Sequence, residues 1–430
     1  MKNEIRKRHR SFALVLAAAV VAGLASDVQA QEELKEDRTI EQRREATQSM
    51  DELVYKRLSA VHEDLGEDRL DEALKGLATL EKMNLNDYEL ALVHQTYGFV
   101  FMRQDKQQMA IDRFEQCLAL DALPNLAQQG MLYSLAGLYA ANQKFLKAIE
   151  TMRVWFQYEA NPPAKAYMVI GSSYAELKKY DEALPYIQKA IEVSEEPEEN
   201  WYLLELSIYF EKNRFRDAVR VVRTMLEFWP DKVKYWEILL GAYLELGDQK
   251  AALDAMMVAY ARGLLDTEAL IKPVVQLNMA LEVPYTAASI LEREIAAGNV
   301  EASKENLDIL LQAWLGAREF EKAVATIDRL APLSDDGQYY MRKAGILNEL
   351  GDWQGVIDAA TQAFEAGLDE PAKAHILVGI ANSELGRFQR SVEAFRRARQ
   401  AGDQSDRRAA DAWIDFIEEK MLIASAASGG

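Results

Sequence analysis

The sequence predicts an all-α fold: about ten helical hairpins stacked as a right-handed superhelical solenoid, closed by a C-terminal capping helix. Three observations predict it. A small residue recurs every 33 to 38 residues in one hairpin slot, and aromatic residues recur at fixed offsets from it. Glycine and proline gather where helices would turn or end. The period-two alternation of half-buried strands is absent.

The clearest repeat is residues 164–197. It carries Tyr167, Ile170-Gly171, Tyr174, Leu177, Tyr180, Ala183, Ile187, Ala190 and Pro197. These fall at positions 4, 7-8, 11, 14, 17, 20, 24, 27 and 34 of a unit that resembles the tetratricopeptide repeat. The small residues let two antiparallel helices approach closely, and the aromatics fill the space between them. Position 20 serves as a ruler, reading Ala73, Ala110, Ala148, Ala183, Ala218, Ala252, Ala288, Ala323, Val356 and Ser391. Ten matches in register mark a repeat architecture. Gly98, Ala136, Gly171, Ala344 and Gly379 share position 8, and Phe101, Tyr139, Tyr174, Tyr209, Tyr243 and Trp314 share position 11. Leu246-Gly247-Asp248, Leu350-Gly351-Asp352 and Leu385-Gly386-Arg387 read as turns inside hairpins, with Gly closing the first helix.

In chain order, residues 1–30 read as a secretory signal peptide. Lys2, Arg6, Lys7, Arg8 and Arg10 precede an apolar run from Phe12 to Leu24, and Val28-Gln29-Ala30 predicts cleavage after Ala30. The run is short for a membrane span, so export to the periplasm is expected, with no integral span in the mature chain. Residues 31–52 form a charged arm, expected to be solvated. The solenoid is expected over 53–403. Its stretch 262–300 looks degenerate: Pro273 and Pro284 interrupt it and position 8 becomes Gln276, so a bend is expected there. Residues 404–423 predict the capping helix, covering the last hairpin with Ala409, Trp413, Phe416 and Met421, and 424–430 predict a loose tail.

Charge narrows the partners. The chain carries a net charge of −19, and −22 once the basic leader is removed. Such a field repels nucleic acid and anionic lipid and attracts basic protein segments. Cys117 is the only cysteine, so no intrachain disulfide is available, and its place in a small-residue slot predicts core packing. Nothing predicts catalysis, a cofactor or a metal. His62, His94 and His375 lie in three different repeats without ligand spacing, and no phosphate-cradling glycine loop or Gly-x-Ser-x-Gly turn occurs.

Function is therefore expected on the concave face, which positions 2, 5, 9, 12 and 13 of each first helix would line. Those positions supply Phe99, Met102, Tyr133, Met168, Leu203 and Phe210 as apolar anchors, with Glu176, Glu211, Glu237 and Glu245 as acids. The set predicts a groove for a protein or peptide segment that has apolar anchors and some basic residues.

Several stretches carry a further resemblance: Leu85-Asn86-Asp87-Tyr88, Glu199 to Leu204, Lys234-Tyr235-Trp236, Ala259-Tyr260 with Gly263-Leu264-Leu265, Pro284-Tyr285 and Leu333 to Gly337. Over most of residues 50–420 the chain resembles periplasmic tetratricopeptide-repeat proteins associated with TonB–ExbB–ExbD energy-transduction systems. The resemblance implies a non-catalytic scaffold accessory to TonB-dependent outer-membrane transport, with TonB-system components as partners. The alternative is an assembly or chaperone-like factor for outer-membrane or cell-wall machinery.

Overall fold

The computed structural model describes residues 49–334 and 337–428. The expected signal peptide, most of the arm and the last two residues lie outside that range. The described residues form helices and turns, with no strand among them. Hairpins 1 to 5 are α1 (Glu52–Gly66) with α2 (Leu70–Leu80), α3 (Asp87–Arg103) with α4 (Gln107–Ala119), α5 (Asn125–Ala141) with α6 (Phe145–Phe156), α7 (Ala164–Glu176) with α8 (Tyr180–Val193), and α9 (Glu199–Glu211) with α10 (Phe215–Phe228). Hairpins 6 to 8 are α11 (Val233–Glu245) with α12 (Gln249–Ala261), α13 (Glu268–Ala280) with α14 (Pro284–Ala297), and α15 (Lys304–Gly316) with α16 (Phe320–Leu330). Hairpins 9 and 10 are α17 (Gln338–Leu350) with α18 (Trp353–Glu365), and α19 (Pro371–Glu384) with α20 (Phe388–Ala401). A last helix, α21 (Gln404–Ser428), follows. The chain divides into two compact units between Met225 and Leu226.

Each hairpin is held by the small and apolar slots that the sequence marks. Positions 20, 24 and 27 are buried in all ten second helices, from Ala73, Leu77 and Leu80 in α2 to Ser391, Phe395 and Ala398 in α20. Position 8 of the first helix faces position 24 of the second: Gly98 meets Phe114, Gly171 meets Ile187, and Gly379 meets Phe395. A Cβ on Gly98 would stand 2.0 Å from the Phe114 ring, so only glycine permits that approach.

One turn design serves all ten hairpins. Position 15 is left-handed in every one, occupied by Asp68, Asp105, Gln143, Lys178, Asn213, Gly247, Glu282, Arg318, Gly351 and Gly386 with φ between 54° and 74°. Only three of these are glycine, which is why the sequence displayed the turn in only three places.

Stretch 262–300 corrects two expectations. It forms a regular hairpin, α13 with α14. Its helix ends and its left-handed Glu282 place Ala287, not Ala288, at position 20. In that register Val275 sits at the buried position 8 and Gln276 at the exposed position 9. Pro284 begins α14, where the missing N–H costs nothing. Pro273 lies inside α13 and is accommodated there.

The capping helix also differs from expectation. It runs on to Ser428, because the alanine-rich 424–428 holds no helix breaker before Gly429. It packs by Ala410, Ile414 and Ile417, with Trp413 and Met421 alongside, while Ala409 and Phe416 are exposed. The expected stripe was rotated by about one residue.

Contacts between hairpins recur at fixed positions too. Position 25 reaches position 11 of the next first helix: Arg153 donates to the Tyr174 hydroxyl at 2.9 Å, and Gln188 donates to that of Tyr209 at 2.7 Å. Tyr139 likewise bonds Glu115. Position 28 meets position 4, with Phe156 and Tyr167 rings 5.1 Å apart. The same ties hold α21: Arg396 at position 25 pairs with Glu418 at 3.1 Å, and Arg399 at position 28 pairs with Asp411 at 3.1 Å. Helix α21 is thus the first helix of an eleventh unit, with Arg408 at position 1. Position 8, which in the other units faces the hairpin's own second helix, is the exposed Asp415. A carboxylate in place of a small residue there keeps this face of the helix in water.

Candidate interaction face of the first helices

A helix that packs on two sides leaves a third open, and the repeat register determines which residues occupy it. In α5, α7, α9 and α15 positions 3, 4, 7, 8, 10 and 11 are all buried. From hairpin 2 to hairpin 9, no residue at position 2, 5, 9, 12 or 13 is buried. The five positions named from sequence are therefore the open face of the first helices of hairpins 2 to 9; Leu58 in hairpin 1 and Ser383 in hairpin 10 are buried at such positions. α5 packs against α7, and α7 against α9, so their open faces lie side by side in the first unit.

All ten expected site residues lie on that open face. Phe99 and Met102 on α3 are 41% and 42% exposed. Tyr133 on α5, Met168 on α7, and Leu203 and Phe210 on α9 are half-buried. Glu176 ends α7 and Glu211 ends α9, both exposed. On α11 in the second unit Glu245 occupies the equivalent helix end and Glu237 lies at position 5, both exposed. None of these four acids enters an ion pair among the described residues.

The aromatic anchors are braced from behind. Phe99 meets Phe114 edge-on at 5.4 Å, Tyr133 lies 5.3 Å from Trp155, and Phe210 meets Phe215 at 5.8 Å. Each ring is thus fixed by its own hairpin before any ligand arrives, which lowers the entropy cost of using it. Between these anchors the floor is small: Gly137, Ala140, Ser172, Ala175 and Ser207. A Cβ on Gly137 would meet nothing within 4 Å, so space stands above it.

A second feature was not foreseen. A cavity of about 640 Å³ opens beside α4, with Glu81, His94 and Arg113 among its lining residues. Arg113 pairs with Glu81 at 2.5 Å, donates to His94 Nδ1 at 3.1 Å and stacks over the Tyr97 ring at 4.0 Å. Burial, and then the Arg113 charge, lower the His94 pKa, so the neutral ring accepts from Arg113. Burial raises the Glu81 carboxyl, but bonding and charge from Arg113 outweigh it and hold it below its usual range. The Arg113 guanidinium is thus shared between the Glu81 carboxylate and the His94 ring. The sequence signal available was the Glu81, His94 and Arg113 spacing, visible only once helices are placed.

The cysteine and the other two described histidines sit in packing contacts. Cys117 is fully buried, and burial pushes its thiol up to about 12. His62 bonds Thr96 at 3.0 Å across hairpins 1 and 2, and His375 packs on Phe364 at 4.5 Å. Among the described residues, no group of three His, Cys, Asp or Glu could hold a metal. No described helix is long and apolar enough to cross a membrane.

Comparison with known proteins agrees with this geometry. A tetratricopeptide repeat model matches residues 164–197, and a second matches residues 203–263. No curated protein matches the chain. Among solved structures, the chain is similar to a tetratricopeptide repeat protein from Parabacteroides merdae at 17% identity, covering 60% of this chain and 98% of that one, with a TM-score of 0.35. It is also similar to YrrB, described as a TPR protein with an unusual peptide-binding site, at 14% identity over 42% of this chain and 89% of that one, TM-score 0.34. A third is the TPR2AB domain of yeast Sti1 in complex with pHSP90, at 17% identity over 59% and 98%, TM-score 0.29. The chain thus carries tetratricopeptide repeats at 164–197 and 203–263, and the fold of its described hairpins is of the tetratricopeptide-repeat kind throughout.

Proposed function

We propose that this chain is a non-catalytic interaction scaffold of the periplasm, accessory to TonB-dependent outer-membrane transport. It engages basic, apolar-anchored protein segments through the open faces of α3, α5, α7 and α9. Tetratricopeptide-repeat proteins generally mediate protein–protein interaction. One observation carries the reading: exposed Phe99 and Met102 and half-buried Tyr133, Met168, Leu203 and Phe210 occupy open-face positions of four successive first helices, beside exposed Glu176 and Glu211. Braced apolar side chains with a small floor between them suit a partner's bulky anchors, and unneutralised carboxylates suit its Lys or Arg. Export rests on the basic head, apolar run and Val28-Gln29-Ala30 of the leader, and the TonB assignment on the resemblance of residues 50–420.

Affinity purification of the tagged protein from envelope extracts, with mass spectrometry of what accompanies it, tests both parts. TonB-system components should co-purify with the native protein and be lost with the Phe99→Glu/Tyr133→Glu/Phe210→Glu variant. Recovery of outer-membrane or cell-wall assembly factors instead would replace the TonB reading and keep the scaffold. An unchanged catch with the variant would refute the open face as the binding surface.

A further inference from the structure

The end of the chain presents a different surface. Helix α21 turns Ala410, Ile414 and Ile417 inward and ties Asp411 and Glu418 to α20. On its outer side Phe416 is 52% and Ile423 63% exposed. Ala412 lies one turn before Phe416, so Ala412, Phe416 and Ile423 share a stripe two turns and more in length. Trp413 meets the Phe416 ring edge to face at 5.8 Å, and the Lys420 ammonium stands over it at 5.9 Å. Arg408 begins this stripe and Glu419 lies near its end, and neither enters an ion pair among the described residues.

These residues are arranged symmetrically about a point near residue 414. An antiparallel copy of the helix centred there sets Ala412 opposite Phe416 and Ser405 opposite Ile423, and brings Arg408 within one residue of Glu419. Each charge meets its opposite twice, and each large side chain meets a small one. A parallel copy would set Arg408 against Arg408 and Phe416 against Phe416, losing both matches. Opposite charges facing across a seam fix the register and orientation of helix pairs, and a surface that matches itself under a two-fold is the form of an isologous contact.

We propose that α21 is a self-association surface, pairing antiparallel with α21 of a second copy of this chain through Phe416, Ile423 and two Arg408–Glu419 ion pairs. A contact confined to one helix pair is small, so the dimer is a concentration-dependent one. The open faces of α3 to α9 are not involved, so this pairing and partner capture are separable.

Analytical ultracentrifugation of the purified protein over a concentration series decides it. The native protein should dimerise reversibly, and Phe416→Glu should remain monomeric. Arg408→Glu and Glu419→Arg should each weaken dimerisation by about tenfold, since each reversal turns two attractions into two repulsions. The double variant Arg408→Glu/Glu419→Arg should restore it. All three positions are exposed, so unchanged circular dichroism and melting will separate lost pairing from lost folding. A monomer throughout the series overturns the proposal. So does a dimer indifferent to these substitutions, or a double variant that fails to recover.

Discussion

Tyr260 donates its hydroxyl hydrogen to Glu294 at 2.5 Å, and Glu294 fills the core slot at position 27 where the other nine hairpins place an apolar or small side chain. Asn299 bonds the other carboxylate oxygen at 2.8 Å, and Arg293 sits at 3.3 Å and also bonds Tyr260. Burial pushes the Glu294 carboxyl up, but the hydrogen bonds from Tyr260 and Asn299 and the Arg293 charge outweigh it, and its pKa lies below the usual value. Such a group stabilises the fold fully above the ordinary carboxyl pKa, and the contribution is lost as pH falls through the lower folded value. Tyr260→Phe leaves a buried oxygen short of a donor and should cost about 1–3 kcal/mol. Urea unfolding at neutral and acid pH checks this: the variant's deficit should shrink in acid, where Glu294 is protonated in both proteins.

Gly98→Ala should destabilise by about 1–3 kcal/mol despite alanine's better helix propensity. The added Cβ would lie 2.0 Å from the Phe114 ring, which is buried and cannot swing into solvent. Phe114 also braces Phe99, so the displaced ring should disturb the open face as well. Thermal melting reads the first effect. Altered partner capture at a temperature where the variant is folded reads the second.

The turns offer a stability test in both directions. Gly247 has φ 70°, with nothing within 4 Å of an added Cβ, so Gly247→Ala measures backbone strain alone and should cost about 1 kcal/mol. Lys178 holds φ 58° at the same position of hairpin 4. Lys178→Gly should therefore stabilise by a few tenths of a kcal/mol, the relief of strain being partly offset by the freer unfolded chain. Paired melts of the two variants would show opposite signs.

Burial of Cys117 makes a chemical prediction. With its thiol pushed up to about 12 and its side chain fully covered, the native protein should not react with a thiol reagent at neutral pH. Labelling should appear only with unfolding, so its rate against denaturant reports the opening of hairpin 2. Rapid labelling of the folded protein would refute the core assignment.

The hairpins were legible in the sequence because their slots demand small residues: Gly98, Gly171 and Ala183 leave no alternative at such helix separations. The open face was legible for the same reason, since a correct register fixes positions 2, 5, 9, 12 and 13 wherever the core slots are clear. Legibility failed where side chains stopped encoding geometry. In hairpin 7 two alanines stand together, Ala287 and Ala288, and both are buried, so the ruler slipped by one. The turn at position 15 was legible only at Gly247, Gly351 and Gly386, because Lys178, Gln143 and Arg318 tolerate a conformation that advertises itself only when glycine adopts it. In α21 the charged positions 4, 8 and 11 erase the repeat's own signature, so only the ion pairs to Arg396 and Arg399 reveal its register.

Glu176 and Glu211 sit where their own helices disfavour them. Each is the last residue of its helix, beside the negative end of the helix dipole, and neither has a cationic partner among the described residues. Neutralising them should therefore stabilise the fold slightly, by about 0.3–1 kcal/mol per site at low salt. The same change should weaken binding of a basic partner, because it removes the charge that meets Lys or Arg. Measured by calorimetry with a synthetic amphipathic peptide bearing Leu, Phe and Lys, Glu176→Gln/Glu211→Gln should bind about tenfold more weakly at low salt. That difference should vanish toward 1 M salt, where screening acts over about 3 Å, while the loss caused by Phe210→Glu should persist. A double variant that gained stability and kept its affinity would show that these carboxylates serve neither the fold nor a basic partner. One that gained stability and lost salt-sensitive affinity would show that they are held in place by binding, at the expense of the helices that carry them.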